Sequence, residues 1–140
     1  MKIVFYLSVC FVIIACTIAQ EKQYSPKVEN ILTFCSEAQK QNPHSAVHLF
    51  SEGEHVLVNV ITPSAEIPAH FHEKHDETVF IVRGKGTMRI GNENKSVKEG
   101  DLIFLPKKTI HSFKPETDDC IAISIHSPKF DGKDRIIVNE

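Results

Sequence analysis

Residues Pro68 to Phe80 read PAHFHEKHDETVF, which places three histidines and three acidic residues in thirteen positions. A solvated charged loop would account for that composition. The spacing suggests more. His70 and His72 are two apart, so on an extended strand their side chains share one face. Glu77 opens the apolar run Thr78-Val79-Phe80-Ile81-Val82, and a short loop before it can return its carboxylate to the two imidazoles. Glu73 and Asp76 are its rivals. A third histidine, His111, lies in Thr109-Ile110-His111-Ser112-Phe113, after turns at Gly100 and Pro106. Three neutral imidazoles and one carboxylate form a mixed nitrogen and oxygen set suited to a divalent first-row metal, unlike the all-oxygen sets of calcium and magnesium or the sulfur ligands of iron–sulfur clusters.

Around this stretch the chain alternates short β-rich runs with turn material. The runs are AVHLF, HVLVNVI, ETVFIVR, TMRI, DLIFLP, TIHSFK and CIAISIH, separated by SEGE, TPS, RGKG, GNEN, EGD, PKK and PETDD. Seven or more evenly spaced strands predict an all-β sandwich or barrel. KDRIIVNE near the C-terminus adds a possible edge strand. One amphipathic helix is expected before the strands. Ser25-Pro26 would start it, Val28, Ile31, Leu32 and Cys35 would form its apolar face, and Asn42-Pro43 would end it. It would pack on the main body as a lid or side-brace.

These residues resemble the cupin family, in its small single-domain form. The family's first motif is G-x5-H-x-H-x3,4-E-x6-G. Ser64 stands at the first glycine, and His70, His72, Glu77 and Gly84 follow at the expected intervals. The second motif is G-x5-P-x-G-x2-H-x3-N. Gly100, Pro106 and His111 match it, whereas Lys108 replaces the inner glycine and Pro115 the asparagine. The resemblance implies an all-β jelly roll, a double-stranded β-helix, with one divalent transition metal (Fe, Mn, Ni, Cu or Zn) on His70, His72, Glu77 and His111. It implies chemistry on a small organic molecule, from dioxygenation to decarboxylation and isomerisation. An oxygenase-like enzyme is the main reading, and a non-catalytic small-ligand or carbohydrate-binding cupin the alternative. Strand alternation with the ligands puts Val79, Ile81, Ile103 and Phe113 in the substrate pocket. Arg83 and Arg89 are candidates for orienting an anionic substrate, although strand ends explain them as well. His75 reads as solvent-facing or as a gate, and His44, His48, His55 and His126 as surface or interface residues. Small cupins pair through outer strands, so a homodimer is expected.

The division that follows is a signal peptide over 1–19, a helical segment over 20–45, the barrel over 46–127 and a C-terminal extension over 128–140. Lys2 precedes an apolar run from Ile3 to Ala15 that is too short to span a bilayer, and Thr17-Ile18-Ala19 suits signal peptidase. Export to a secreted or periplasmic location is therefore expected, with lipid anchoring through Cys16 in Ile13-Ile14-Ala15-Cys16 as the alternative. Cys35 and Cys120 would remain, either as a disulfide or as two unpaired core residues. Asn94-Lys95-Ser96 is a glycosylation sequon expected in a loop. A formal net charge of −2 gives no basic surface for nucleic acid.

Overall fold

The computed structural model describes residues 22–62 and 66–139. The expected signal peptide, Cys16 and Ser64 lie outside them. Helix α1 spans Ile31–Gln41, and ten strands follow: β1 Val47–Glu52, β2 Leu57–Ile61, β3 Ile67–Phe71, β4 Asp76–Arg83, β5 Lys85–Ile90, β6 Glu93–Lys98, β7 Leu102–Leu105, β8 His111–Pro115, β9 Ile121–Ser127 and β10 Ile136–Ile137. They form two five-stranded sheets, ordered β1-β2-β9-β4-β7 and β10-β3-β8-β5-β6. Every pair is antiparallel. This is the expected jelly roll, with the tail adding an edge strand.

Side-chain alternation builds two apolar clusters from the same strands. Val79 and Ile81 of β4 point between the sheets and pack with Met88, Val97, Leu105 and Ala122. Residues of the opposite parity, Val60 and Val82, point outward and pack with Cys35, Ile31 and Phe34 of α1. The helix therefore braces the back of one sheet. Its start differs from expectation. Asn30, not Ser25-Pro26, caps it, its side chain accepting from the Leu32 and Thr33 amides at 3.0 and 3.2 Å. Val28 is fully exposed at 101%, because only Ile31, Phe34 and Cys35 reach the sheet. Asn42 ends the helix, as Asn42-Pro43 implies.

One open alternative is resolved and two further expectations change. Cys35 and Cys120 are both buried free thiols, so no disulfide forms and each serves as a small core residue, with burial pushing both thiol pKa values up. GNEN splits: Gly91 and Asn92 make a two-residue turn, while Glu93 and Asn94 begin β6. The sequon thus lies on an exposed strand, not in a loop.

Two tight corners hold the motif loops. Gly84, between β4 and β5, has φ +79°, and a Cβ there would sit 2.8 Å from the Cys120 Cα, so only glycine fits. Lys108 has φ +69°, a left-handed conformation at the position where the motif has glycine. The loop closes because the Lys108 amide donates to the His72 carbonyl at 2.6 Å and the Lys107 amide to Asp76 Oδ1 at 2.9 Å. The two motifs are stitched together through the backbone.

Candidate metal centre

His70 comes from β3, His72 from just past its end, Glu77 from the start of β4 and His111 from the start of β8. β3 and β8 pair His70 directly with His111, which puts both rings on one face. All four side chains are buried, and one donor atom of each lies within 4.8 Å of the others. The expected set converges, and its atoms could hold a metal ion.

The hydrogen bonds decide how the rings face that point. His70 Nδ1 donates to the Pro68 carbonyl at 2.8 Å, His111 Nδ1 to the Thr109 carbonyl at 2.9 Å, and His72 Nδ1 to the Asp134 carbonyl at 2.5 Å. A neutral imidazole that gives its proton at Nδ1 keeps a lone pair at Nε2. His72 Nε2, His111 Nε2 and Glu77 Oε2 are buried without a hydrogen-bond partner. Glu77 Oε2 lies 3.0 Å from His111 Nε2 and 3.7 Å from His72 Nε2. Lone pairs that face a carboxylate oxygen at this range in a buried site are stabilised by a cation among them. The donor set thus fits a divalent metal.

The surroundings keep the ligands in their binding forms. Burial pushes the His70 pKa down to about 4, with the neighbouring His111 adding to the effect. Burial also lowers His72. For Glu77, burial would raise the pKa, but the adjacent His111 imidazole, the charge of His126 and the Ser124 hydroxyl outweigh it and hold it at about 2. Ser124 Oγ donates to Glu77 Oε1 at 2.5 Å.

The ligands line a cavity of about 90 Å³ together with Val79, Ile81 and Phe113, three of the four expected pocket residues. Ile103 is not among the lining residues and packs against the core cluster instead, because its place on β7 lies on the far side of β4. Neither Arg83 nor Arg89 lines the cavity. Arg135 does, with His126, Met88 and Phe130.

Two histidines read as peripheral are central. His126 pairs across the ladder with Glu77, and its Nε2 stands 3.8 Å from Glu77 Oε1. Burial drives its pKa down to about 4. Strand alternation in Ala122-Ile123-Ser124-Ile125-His126 would have shown it sharing a face with Ser124. His75 is buried, at 5% exposure, donating through Nδ1 to Asp134 Oδ2 and lying 3.2 Å from the Lys129 carbonyl through Nε2. His48 is also buried, with Nε2 3.3 Å from the Thr62 hydroxyl. His44 and His55 are exposed, as expected.

The partners of His75 and His72 belong to residues 128–138, a strap across the cavity end of the barrel. Lys129 anchors it to Glu52 of β1 at 2.6 Å. Phe130 stacks on His126 with ring centroids 5.1 Å apart. The Asp134 carboxylate accepts from the Glu73 and Lys74 amides at 3.1 and 2.8 Å. Nothing in the strap's composition marks this role, since its partners are about sixty residues away in sequence.

The model for the cupin domain matches residues 57–126, half of the chain, and takes in all four converging residues. The chain belongs to the cupin family. An uncharacterized protein from Aquifex aeolicus is 37% identical over 79 residues, covering 56% of this chain and 64% of that protein. The quercetin 2,3-dioxygenase of Bacillus subtilis is 29% identical over 65 residues, 46% of this chain and 19% of the enzyme. This cupin thus spans less than two thirds of either relative. A solved Klebsiella pneumoniae protein with a double-stranded β-helix domain superposes with a TM-score of 0.65 at 18% identity, covering 83% of this chain and all of that one. That likeness is one of fold.

Proposed function

We propose that this cupin is an exported, metal-dependent enzyme of oxygenase type, with His70, His72, Glu77 and His111 holding one divalent transition metal. One observation carries the reading: the lone pairs of His72 and His111 and the free oxygen of Glu77 meet in a buried space where no protein donor satisfies them. The similarity to a quercetin 2,3-dioxygenase supports the reaction class, and the charged-then-apolar pattern of residues 1–19 supports export. When bound, the metal would supply Lewis acidity toward a substrate oxygen and, if redox-active, the means to use dioxygen.

The chain's own residues would do the rest. Val79, Ile81, Met88 and Phe113 exclude water from one side of the cavity, which strengthens every charge interaction inside it. Ser124 keeps one Glu77 oxygen occupied and leaves the other for the metal. His126, unprotonated near neutral pH, is the nearest group able to take a proton at Nε2.

The test combines elemental analysis of wild type, His72→Ala and His111→Ala with oxygen uptake. The protein is loaded in turn with Fe, Mn, Ni, Cu or Zn and offered a panel of small organic molecules that includes quercetin. Near-stoichiometric metal in wild type, its loss from both variants and uptake only with a redox metal are expected. A wild type that retains no metal at any loading would sink the reading. Ligand binding without turnover under every metal would move the protein to the non-catalytic binding class.

A further inference from the structure

Arg135 stands just before β10, in a segment that the cupin match does not reach. The β10–β3 ladder pairs Ile136 with Phe71 and Ile137 with His70. Continued by one residue, that register sets Arg135 opposite His72, on the inward face. Its side chain lines the cavity beside the metal-site residues. Its Nε is buried and without a hydrogen-bond partner, and the ion pairs formed by the described residues include none to Arg135. A guanidinium is always charged and offers a planar fork of donors. Burying part of it unpaired is costly unless something else completes it.

Glu77 is the counter-charge felt by the guanidinium, but Ser124 holds one of its oxygens, the other faces His72 and His111, and neither forms an ion pair with Arg135. Burial depresses the guanidinium pKa and the Glu77 charge opposes that only in part, which is the balance of a cation short of a partner. The strap is also fixed on both sides of this residue. The Asp134 carboxylate is pinned by Glu73, Lys74 and His75, and the Val138 amide donates to the Ala69 carbonyl at 2.9 Å. The backbone on either side of Arg135 is therefore held in place, with its half-buried side chain at the cavity.

From this geometry we infer that Arg135 recognises an anionic group on the substrate, so that this cupin takes small carboxylates. The guanidinium receives the carboxylate, the apolar wall of Val79, Ile81 and Phe113 covers the carbon skeleton, and the remaining polar end faces the four clustered ligands. That last element rests on the metal-site reading above; the role of Arg135 does not.

The experiment measures binding by calorimetry to wild type, Arg135→Gln and Arg135→Lys, each both metal-loaded and chelator-treated. The probes are matched acid and amide pairs: acetate with acetamide, lactate with lactamide and benzoate with benzamide. Wild type should prefer at least one acid over its amide by tenfold or more, with and without metal. Arg135→Gln should weaken that acid by roughly tenfold to a hundredfold while leaving amide binding and metal content unchanged. Arg135→Lys should keep the preference for the acid in weaker form, because it keeps charge but not the fork. Equal binding of acids and amides by wild type overturns the inference without needing any variant. So does full acid binding by Arg135→Gln. Failure of the metal-site reading would look different: no metal retained, yet an Arg135-dependent preference for acids in the chelator-treated protein.

Discussion

The three imidazoles at the centre are oriented in two different ways. His70 and His111 each donate from Nδ1 to a carbonyl two residues earlier, Pro68 and Thr109. His72 donates to the carbonyl of Asp134, sixty-two residues away. The first two rings are aimed by their own strands, and the third by a strap that must dock first. A site built this way carries a dependence on the C-terminal segment that its four ligands alone do not reveal. Outer contacts of this kind set ring direction and basicity, and losing one commonly costs tenfold to a hundredfold in metal affinity.

The largest expected effect breaks that difference directly. Asp134→Ala leaves the accepting carbonyl in the chain but removes the carboxylate that ties the strap to the Glu73 and Lys74 amides and to His75. Metal affinity should fall by roughly tenfold to a hundredfold, as read by competition with a chromogenic chelator; an unchanged affinity would mean that the strap is dispensable.

Acid sharpens the comparison by loading both kinds of site. His70 and His126 are held near pKa 4 against an ordinary 6.5, so the unfolded chain binds more protons between those values. Glu77 is held near 2 against 4.5, which extends the trend downward. The metal-free protein should therefore lose stability steadily as pH falls from about 6.5 to about 4 and further below. Urea midpoints across that range, with chelator present, check it, and a flat profile would contradict the burial of these rings.

A smaller effect belongs to the loop that meets His72 from the other motif. Lys108 holds a left-handed backbone at φ +69°, a conformation glycine adopts without strain. Lys108→Gly should raise stability by about 1 kcal/mol, since relief of the strain outweighs the added freedom of the unfolded chain. The thermal midpoint reports the sign. Smallest of all, Pro68→Ala should change metal affinity less than about threefold, because His70 uses only the carbonyl at that position and its acceptor is local. The gap between this variant and Asp134→Ala measures the difference between local and distant orientation.

How much of this was legible beforehand follows from reach. His70 and His72 share a face through strand alternation, Glu77 opens the next apolar run, and His111 stands at the matching point of the second motif, so spacing together with the family resemblance gathers the candidate ligand set. Where spacing had to be extended across the fold, it failed in identifiable places. His126 looked isolated because its partner Glu77 is forty-nine positions earlier and meets it only through the β4–β9 ladder. His75 looked solvent-facing because Asp134 and Lys129, which bury it, come from the far end of the chain. Ser25-Pro26 satisfied every local rule for starting a helix, yet Asn30 became the cap, since the apolar stripe has sheet to cover only from Ile31 onward.

The amino-acid sequence by itself determined the alternating strands, most of the turn positions and the four side chains that cluster at the candidate metal centre, because these depend on periods of two and on loops of a few residues. Only the tertiary structure decided that Cys35 and Cys120 stay apart in the core, that His126 stands beside Glu77, and that Asp134 and Arg135 reach the centre. Those outcomes depend on which strand lies next to which, and burial between two sheets selects that from contacts far apart in the chain.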